Sequence, residues 1–338
     1  MPARARFHSY SPGMAHIYVY SPSGAVRDRA AFRRGVRRLQ QMGHEVEVDP
    51  DALASFQRFA GDDAVRLAAI GRAAASGADL ALTTRGGYGL TRLLPRLPYR
   101  QLARAVDKGT RFVGISDFTA LQLALLARTG AATWAGPALV EGFGASDATD
   151  AAEGHGSRKT EHPDPIMLAC FDDLLSGAGE GTGWRLPAQR RGASAAKPLQ
   201  AKLHLGPAPL WGGNLAVLVS LLGTPYFPQV DGGILFLEDV GEHPYRVERM
   251  LTQLLHAGVL TRQKAILLGH FTEYRLTPHD RGFNLATVVD WLRSQVKVPV
   301  LTGLPFGHVA TKVLLPVGLK VDLLVEDREA LVLWGHLH

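Results

Sequence analysis

At 338 residues the chain has room for two domains, each with a core of its own, and its 46% hydrophobic and 20% charged residues are the balance of an ordinary globular protein. The net charge of +6 comes mainly from arginines spread along the chain. No basic block interleaves with aromatics, which argues against nucleic-acid binding and leaves a mild positive field suited to a small acidic ligand.

The N-terminal MPARARFHSYSPGMAHIYVY is basic but has no apolar signal core, and no run is long enough to span a bilayer. Cytoplasm is the expected compartment, with no membrane partner. From His16 to about Phe143 short apolar runs alternate with amphipathic ones. IYVY (17–20) reads as a strand followed by the turn SPSG, and Phe32, Val36, Leu39 and Met42 then recur at helical spacing. EVEVD (45–49) predicts a strand and Asp63 to Ser76 a helix. ADLALTT (78–84) predicts a strand ending in the glycine-rich RGGYG, RFVGIS (111–116) another, and ATWAG (132–136) one more. This alternation predicts βα units on a parallel sheet, whose ligands gather at the carboxyl ends of the strands.

Residues 145–200 differ. Small, polar and charged residues dominate, with one apolar patch, IMLACFDDLL (166–175), so a linker or surface insertion, partly mobile, is expected. His155 and His162 within it read as solvated rather than metal-binding. Cys170, the one cysteine, offers neither a disulfide framework nor a thiolate cluster. Beyond Leu203, LWGGNLAVLVSLLG reads as a turn feeding a helix, GGILFLEDV as a strand ending in acids, and YRVERMLTQLLHAG as an amphipathic helix. KAILLGH and VPVLTG are further strands flanking the helix FNLATVVDWLRSQ, and the last thirty residues alternate in a β manner. The expected fold is α/β: an N-terminal parallel-sheet, Rossmann-like domain (13–144), the linker (145–200), and a C-terminal mixed α/β domain with antiparallel strands (201–338). There is no internal repeat.

Ser116 stands where an apolar strand turns directly into a helix. Free N–H groups at such a turn can hold a developing oxyanion, as in strand-to-helix nucleophile elbows. The same serine can equally be a plain N-cap. A nucleophilic hydroxyl needs a base. Among the 13 histidines, His256 falls in a helix's last turn, His279 in a polar loop, and His336 and His338 at the terminus. His270 and His308 each follow an apolar strand, as does the acid Glu238, which could orient an imidazole. Composition does not choose between the two histidines, and a metal-binding role for either has no supporting local pattern. RGGYG fits neither a phosphate-loop nor a dinucleotide fingerprint.

Taken in order, SPSG (21–24), RGGYG (85–89), GISDFTAL (114–121), GGNLAVLVSLLGTPY (212–226), ILFLEDVGEHPYRVERMLTQL (234–254) and GLPFGHVATKVLLPVG (303–318) make the chain resemble the serine LD-carboxypeptidases. These are also called muramoyltetrapeptide carboxypeptidases, and the microcin C immunity peptidases belong with them. The resemblance implies a triad of Ser116 as nucleophile, His308 as base and Glu238 as its orienting acid. It also implies a homodimer, a muropeptide substrate losing its terminal D-alanine, and no metal or organic cofactor.

Backbone N–H groups of Asp117 and of Gly86 or Gly87 would then face the oxyanion. Arg85 is a candidate for a substrate carboxylate, or else an ion-pair partner. Tyr88, Asn214 and Trp134 are candidates for the pocket wall, with core packing the stronger reading for Trp134. A microcin-type amidase uses the same triad. Two other classes are a catalytically silent peptide-binding protein on this fold and a nucleotide-binding α/β protein.

Overall fold

The computed structural model describes residues 13–145, 162–188 and 202–335. The first stretch runs β1 (His16–Tyr20), α1 (Arg29–Gln41), β2 (Glu45–Val48), α2 (Asp63–Ala75), β3 (Leu80–Thr83), α3 (Tyr99–Asp107), β4 (Arg111–Gly114), α4 (Thr119–Thr129) and β5 (Thr133–Ala135). Next come α5 (Pro165–Ser176) and β6 (Gly181–Arg185). The third stretch holds β7 (Lys202–Asn214), α6 (Leu215–Ser220), β8 (Ile234–Val240), α7 (Pro244–His256), β9 (Ala265–Thr272), α8 (Leu285–Gln295), β10 (Val300–Thr302), β11 (Leu315–Val317), β12 (Lys320–Glu326) and β13 (Glu329–Leu333).

Two sheets organise these elements. The first has the order β11-β5-β4-β3-β1-β2 and is parallel except for β11, which runs antiparallel to β5. Its inner strands are apolar on both faces because helices cover both, whereas β2, EVEV, lies at the edge and keeps its glutamates in water. The second sheet has the order β10-β9-β8-β7-β12-β13-β6; its first four strands are parallel and the rest antiparallel. The two-domain α/β architecture with an antiparallel tail is the one the sequence predicts.

Side-chain caps set the helix starts. Asp28 accepts the N–H of Ala31 at the start of α1, and Asp62 that of Val65 at the start of α2. One core cluster runs continuously through both domains, joining Phe112, Phe118 and Leu121 to Trp211, Leu218 and Phe236. A second lies on the other face of the first sheet, beneath α1 and α5. No helix among the described residues is long and apolar enough to cross a membrane.

Four elements differ from the sequence reading. Residues 162–188, expected within a linker, build α5 and β6. Met167, Phe171 and Leu174 of α5 are buried against Phe32, Leu39 and Phe143, with the Phe143 and Phe171 rings edge-on at 4.8 Å. β6 (GTGWR) has no alternating pattern and is held by backbone pairing with β13. The expectation of mobility for 146–161 and 189–201 falls outside the described residues.

LWGGN is not a turn but the end of the long strand β7. Its glycines conceal it: a Cβ on Gly212 would stand 1.9 Å from the Phe236 carbonyl oxygen, so only glycine lets the two strands pass. Finally, β11 returns from the C-terminal part of the chain to close the edge of the first sheet.

Candidate active site

Strand β4 leaves the sheet through Ile115, in extended conformation, and the next residue, Ser116, has φ +66°. That left-handed conformation costs an L-residue about 1–2 kcal/mol, and such strain persists where the surroundings enforce it. A single 3₁₀ turn, Ser116–Phe118, then leads into α4. Ser116 is not an N-cap: no side chain caps either the 3₁₀ turn or α4. Its hydroxyl is presented at an elbow, as one lining group of a cavity of about 790 Å³ that also takes in Arg85, Gly86, Gly87, His308 and Lys312.

The RGGYG loop is pressed against this elbow. A Cβ on Gly86 would lie 2.6 Å from the Ser116 Cβ and 3.0 Å from its Oγ, so the approach requires glycine. The Gly86 carbonyl accepts the N–H of Gly24 at 3.3 Å. In a trans peptide the N–H points opposite the carbonyl, which turns the Gly87 N–H away from the 21–24 loop. The buried side chain of Asp117 ties the loops together, accepting from Ser23 Oγ at 2.6 Å and from the Leu90 N–H at 2.9 Å. Burial raises the Asp117 pKa, and these hydrogen bonds and Arg66 oppose that rise.

The acid comes from the second sheet and the imidazole from the loop that follows β10. Glu238, near the carboxyl end of β8, is fully buried, and its Oε2 meets His308 Nδ1 at 2.8 Å. Burial alone would lower the His308 pKa; the hydrogen bond and the charge of Glu238 outweigh it and hold the imidazole above its ordinary value. His308, and not His270, reaches the acid. His270 lies on β9, and burial holds its pKa below the ordinary value. The neighbouring Asp239 is pushed up to about 6 by burial.

The remaining sequence candidates divide. Arg85 lines the cavity, with Nη1 donating to the Ala25 carbonyl at 3.4 Å and Nε 3.6 Å from Glu141. Tyr88 is turned outward, packed on Phe59 with Arg58 over its ring. Asn214 lies behind the acid rather than on the cavity wall: its Nδ2 donates to Glu238 Oε1 at 3.2 Å and Asp239 Oδ1 at 2.9 Å, and its Oδ1 caps α6. Trp134 is in the core, edge-on to Trp334.

Sequence reasoning missed Lys312 and Glu141 on the cavity wall and Thr119 beneath the elbow. For Lys312 a signal existed, since it lies four residues beyond His308 inside the GLPFGHVATKVLLPVG stretch.

Residues 17–136 match the family model of the LD-carboxypeptidase N-terminal domain, and residues 207–323 that of the C-terminal domain. The chain belongs to the LD-carboxypeptidase family. It is 32% identical over 237 residues to the murein tetrapeptide carboxypeptidase of Pseudomonas aeruginosa, covering 69% of this chain and 68% of that protein. The crystal structure of a muramoyltetrapeptide carboxypeptidase from Oxalobacter formigenes superposes with a TM-score of 0.77 at 36% identity, covering 94% of this chain and 97% of that one. The microcin C7 self-immunity protein of Escherichia coli is 26% identical over 263 residues, 72% of this chain and 70% of that protein. In this LD-carboxypeptidase family member, Ser116 lies within the N-terminal match and Glu238 and His308 within the C-terminal one.

Proposed function

We propose that the protein is a serine LD-carboxypeptidase that hydrolyses the L,D-peptide bond of murein tetrapeptides and releases the terminal D-alanine. The single observation that carries this reading is the strained Ser116 elbow opening on the same cavity as the Glu238-bound His308.

Ser116 Oγ attacks the scissile carbonyl carbon as His308 Nε2 takes its proton. Glu238, on Nδ1, fixes the tautomer and stabilises the imidazolium. The carbonyl oxygen gathers negative charge against the backbone N–H groups of Asp117 and of Gly86 or Gly87, donors already in position before the reaction. Collapse of the tetrahedral intermediate expels D-alanine, whose amine takes the proton from His308, and leaves the tripeptide esterified to Ser116. Water, deprotonated by His308, then hydrolyses the ester and regenerates the serine. Nucleophile, base and oxyanion donors all come from the chain itself. The proposed setting is a homodimer in the cytoplasm acting on small peptides.

Incubation with purified murein tetrapeptide, followed by mass spectrometry, tests the reading. Loss of one alanine residue from the peptide is the expected result. An intact peptide, together with cleavage of an aminoacyl-adenylate amide by the same preparation, would overturn it in favour of the microcin-type reaction.

A further inference from the structure

Lys312 is 4% exposed, yet it forms part of the catalytic cavity wall. An ammonium has three N–H donors. Among the described residues one of them is used, on the carbonyl of Val309. No carboxylate of the described residues is close enough to pair with it; Glu141, Glu238 and Asp164 act on it from farther away. Burial accordingly holds its pKa below the ordinary lysine value. A buried charge with unspent donors is costly, and its cost falls when an anion is brought to it.

The other cavity cations are held differently. Arg34 donates twice to the Gly144 carbonyl, and Arg85 is divided between Ala25 and Glu141. Lys312 is also the cation whose charge bears on His308, opposing its protonation. In the mechanism above His308 hands a proton to the departing amine. In an α-amino acid leaving group, the carboxylate carbon is two bonds from that nitrogen. A cation on the wall of the same cavity, held on the carbonyl of the residue after His308, is therefore placed to meet the carboxylate of the departing residue.

We propose that the Lys312 ammonium binds the C-terminal carboxylate of the departing residue and so selects peptides with a free C-terminus. This rests on the carboxypeptidase reading of the same site. It makes Lys312 a specificity residue, distinct from the groups that move protons.

The test compares a murein tetrapeptide with the same peptide ending in D-alaninamide. Loss of one charge-assisted contact is worth about 10- to 100-fold, so the wild type should prefer the free acid by about that factor in kcat/KM. In Lys312→Met the acid-to-amide ratio should fall toward one. Lys312→Gln, which keeps a donor for the Val309 carbonyl, should do the same if the methionine variant folds poorly. An equal fall on both substrates, or a retained preference for the acid, overturns the proposal.

Calorimetry of N-acetyl-D-alanine and N-acetyl-D-alaninamide on the Ser116→Ala protein, with and without Lys312→Met, separates this from the parent reading. If the wild type releases no D-alanine, the carboxypeptidase reading fails. The calorimetric preference still decides Lys312: tighter binding of the carboxylate that the methionine variant abolishes supports it, and equal binding of the two overturns it.

Discussion

Asn214 lies directly opposite Glu238 in the parallel pairing of β7 with β8, and its side-chain nitrogen donates to Glu238 Oε1 at 3.2 Å. The backbone N–H of the same residue meets Thr119 Oγ1 at 3.0 Å, three residues past Ser116. A Cβ on Gly213 would come within 2.5 Å of that hydroxyl, so the helix after the elbow is seated directly on the end of β7. Ser116 and Glu238 belong to different sheets, and this contact fixes one against the other. A continuous core underlies both.

The pH dependence follows from His308. It acts as a base only when neutral, and its pKa is held above the ordinary 6.5 by Glu238. The acid limb of kcat/KM should therefore lie above pH 6.5, with activity rising as pH rises through it. Glu238→Gln removes the two largest raising influences and leaves burial and Lys312, which lower the pKa, against the smaller raising effect of Asp239. The limb should move to lower pH while kcat falls on the order of 10³–10⁴-fold, as when a triad acid is made neutral. A kcat/KM profile across pH 5–9 for both proteins (about that range suffices to bracket a histidine) checks the sign.

The two histidines should separate cleanly. His308→Ala is expected to be nearly inactive and His270→Ala to keep substantial activity, because only His308 contacts the acid. EDTA should leave the wild-type rate unchanged; among the described residues no group of three or more His, Cys, Asp or Glu could hold a metal ion. Inhibition by EDTA that zinc reverses would point to metal-assisted hydrolysis instead.

Gly86→Ala probes the proposed oxyanion donors. The new Cβ would collide with the Ser116 side chain at 2.6 Å, so the RGGYG loop must move away from the elbow. Loss of an oxyanion donor costs about 10²–10³-fold in kcat, and a loss of that size is expected with KM less affected. Wild-type kcat in a folded variant would show that the loop does not serve the oxyanion.

Much of this was readable in the sequence because buried parallel strands appear as apolar runs, and because groups at their carboxyl ends converge. Ser116, Glu238 and His308 all stand at or just beyond such ends. What was hidden depends on tertiary contact. β7 carries prolines and paired glycines that read as a turn, since the reason for Gly212 is the Phe236 carbonyl on another strand. β6 exists only through its pairing with β13, and β11 crosses to the first sheet by a partner choice that its three residues do not encode. Asn214 reads as a group of the pocket wall, and only the strand register puts it behind the acid. Lys312 has its place four residues past His308 as its one sequence signal; burial and unspent donors show what it offers.

Ser116→Ala tests the central claim most directly, read as the rate of D-alanine release from murein tetrapeptide. Alanine keeps the left-handed strain, so the variant should match the wild type in stability, while Ser116→Gly should be more stable than Ser116→Ala by about 1 kcal/mol. Both should lose activity by several orders of magnitude, on the order of the loss when a triad serine is removed. Release of D-alanine by folded Ser116→Ala at near wild-type rate would contradict the nucleophile assigned here.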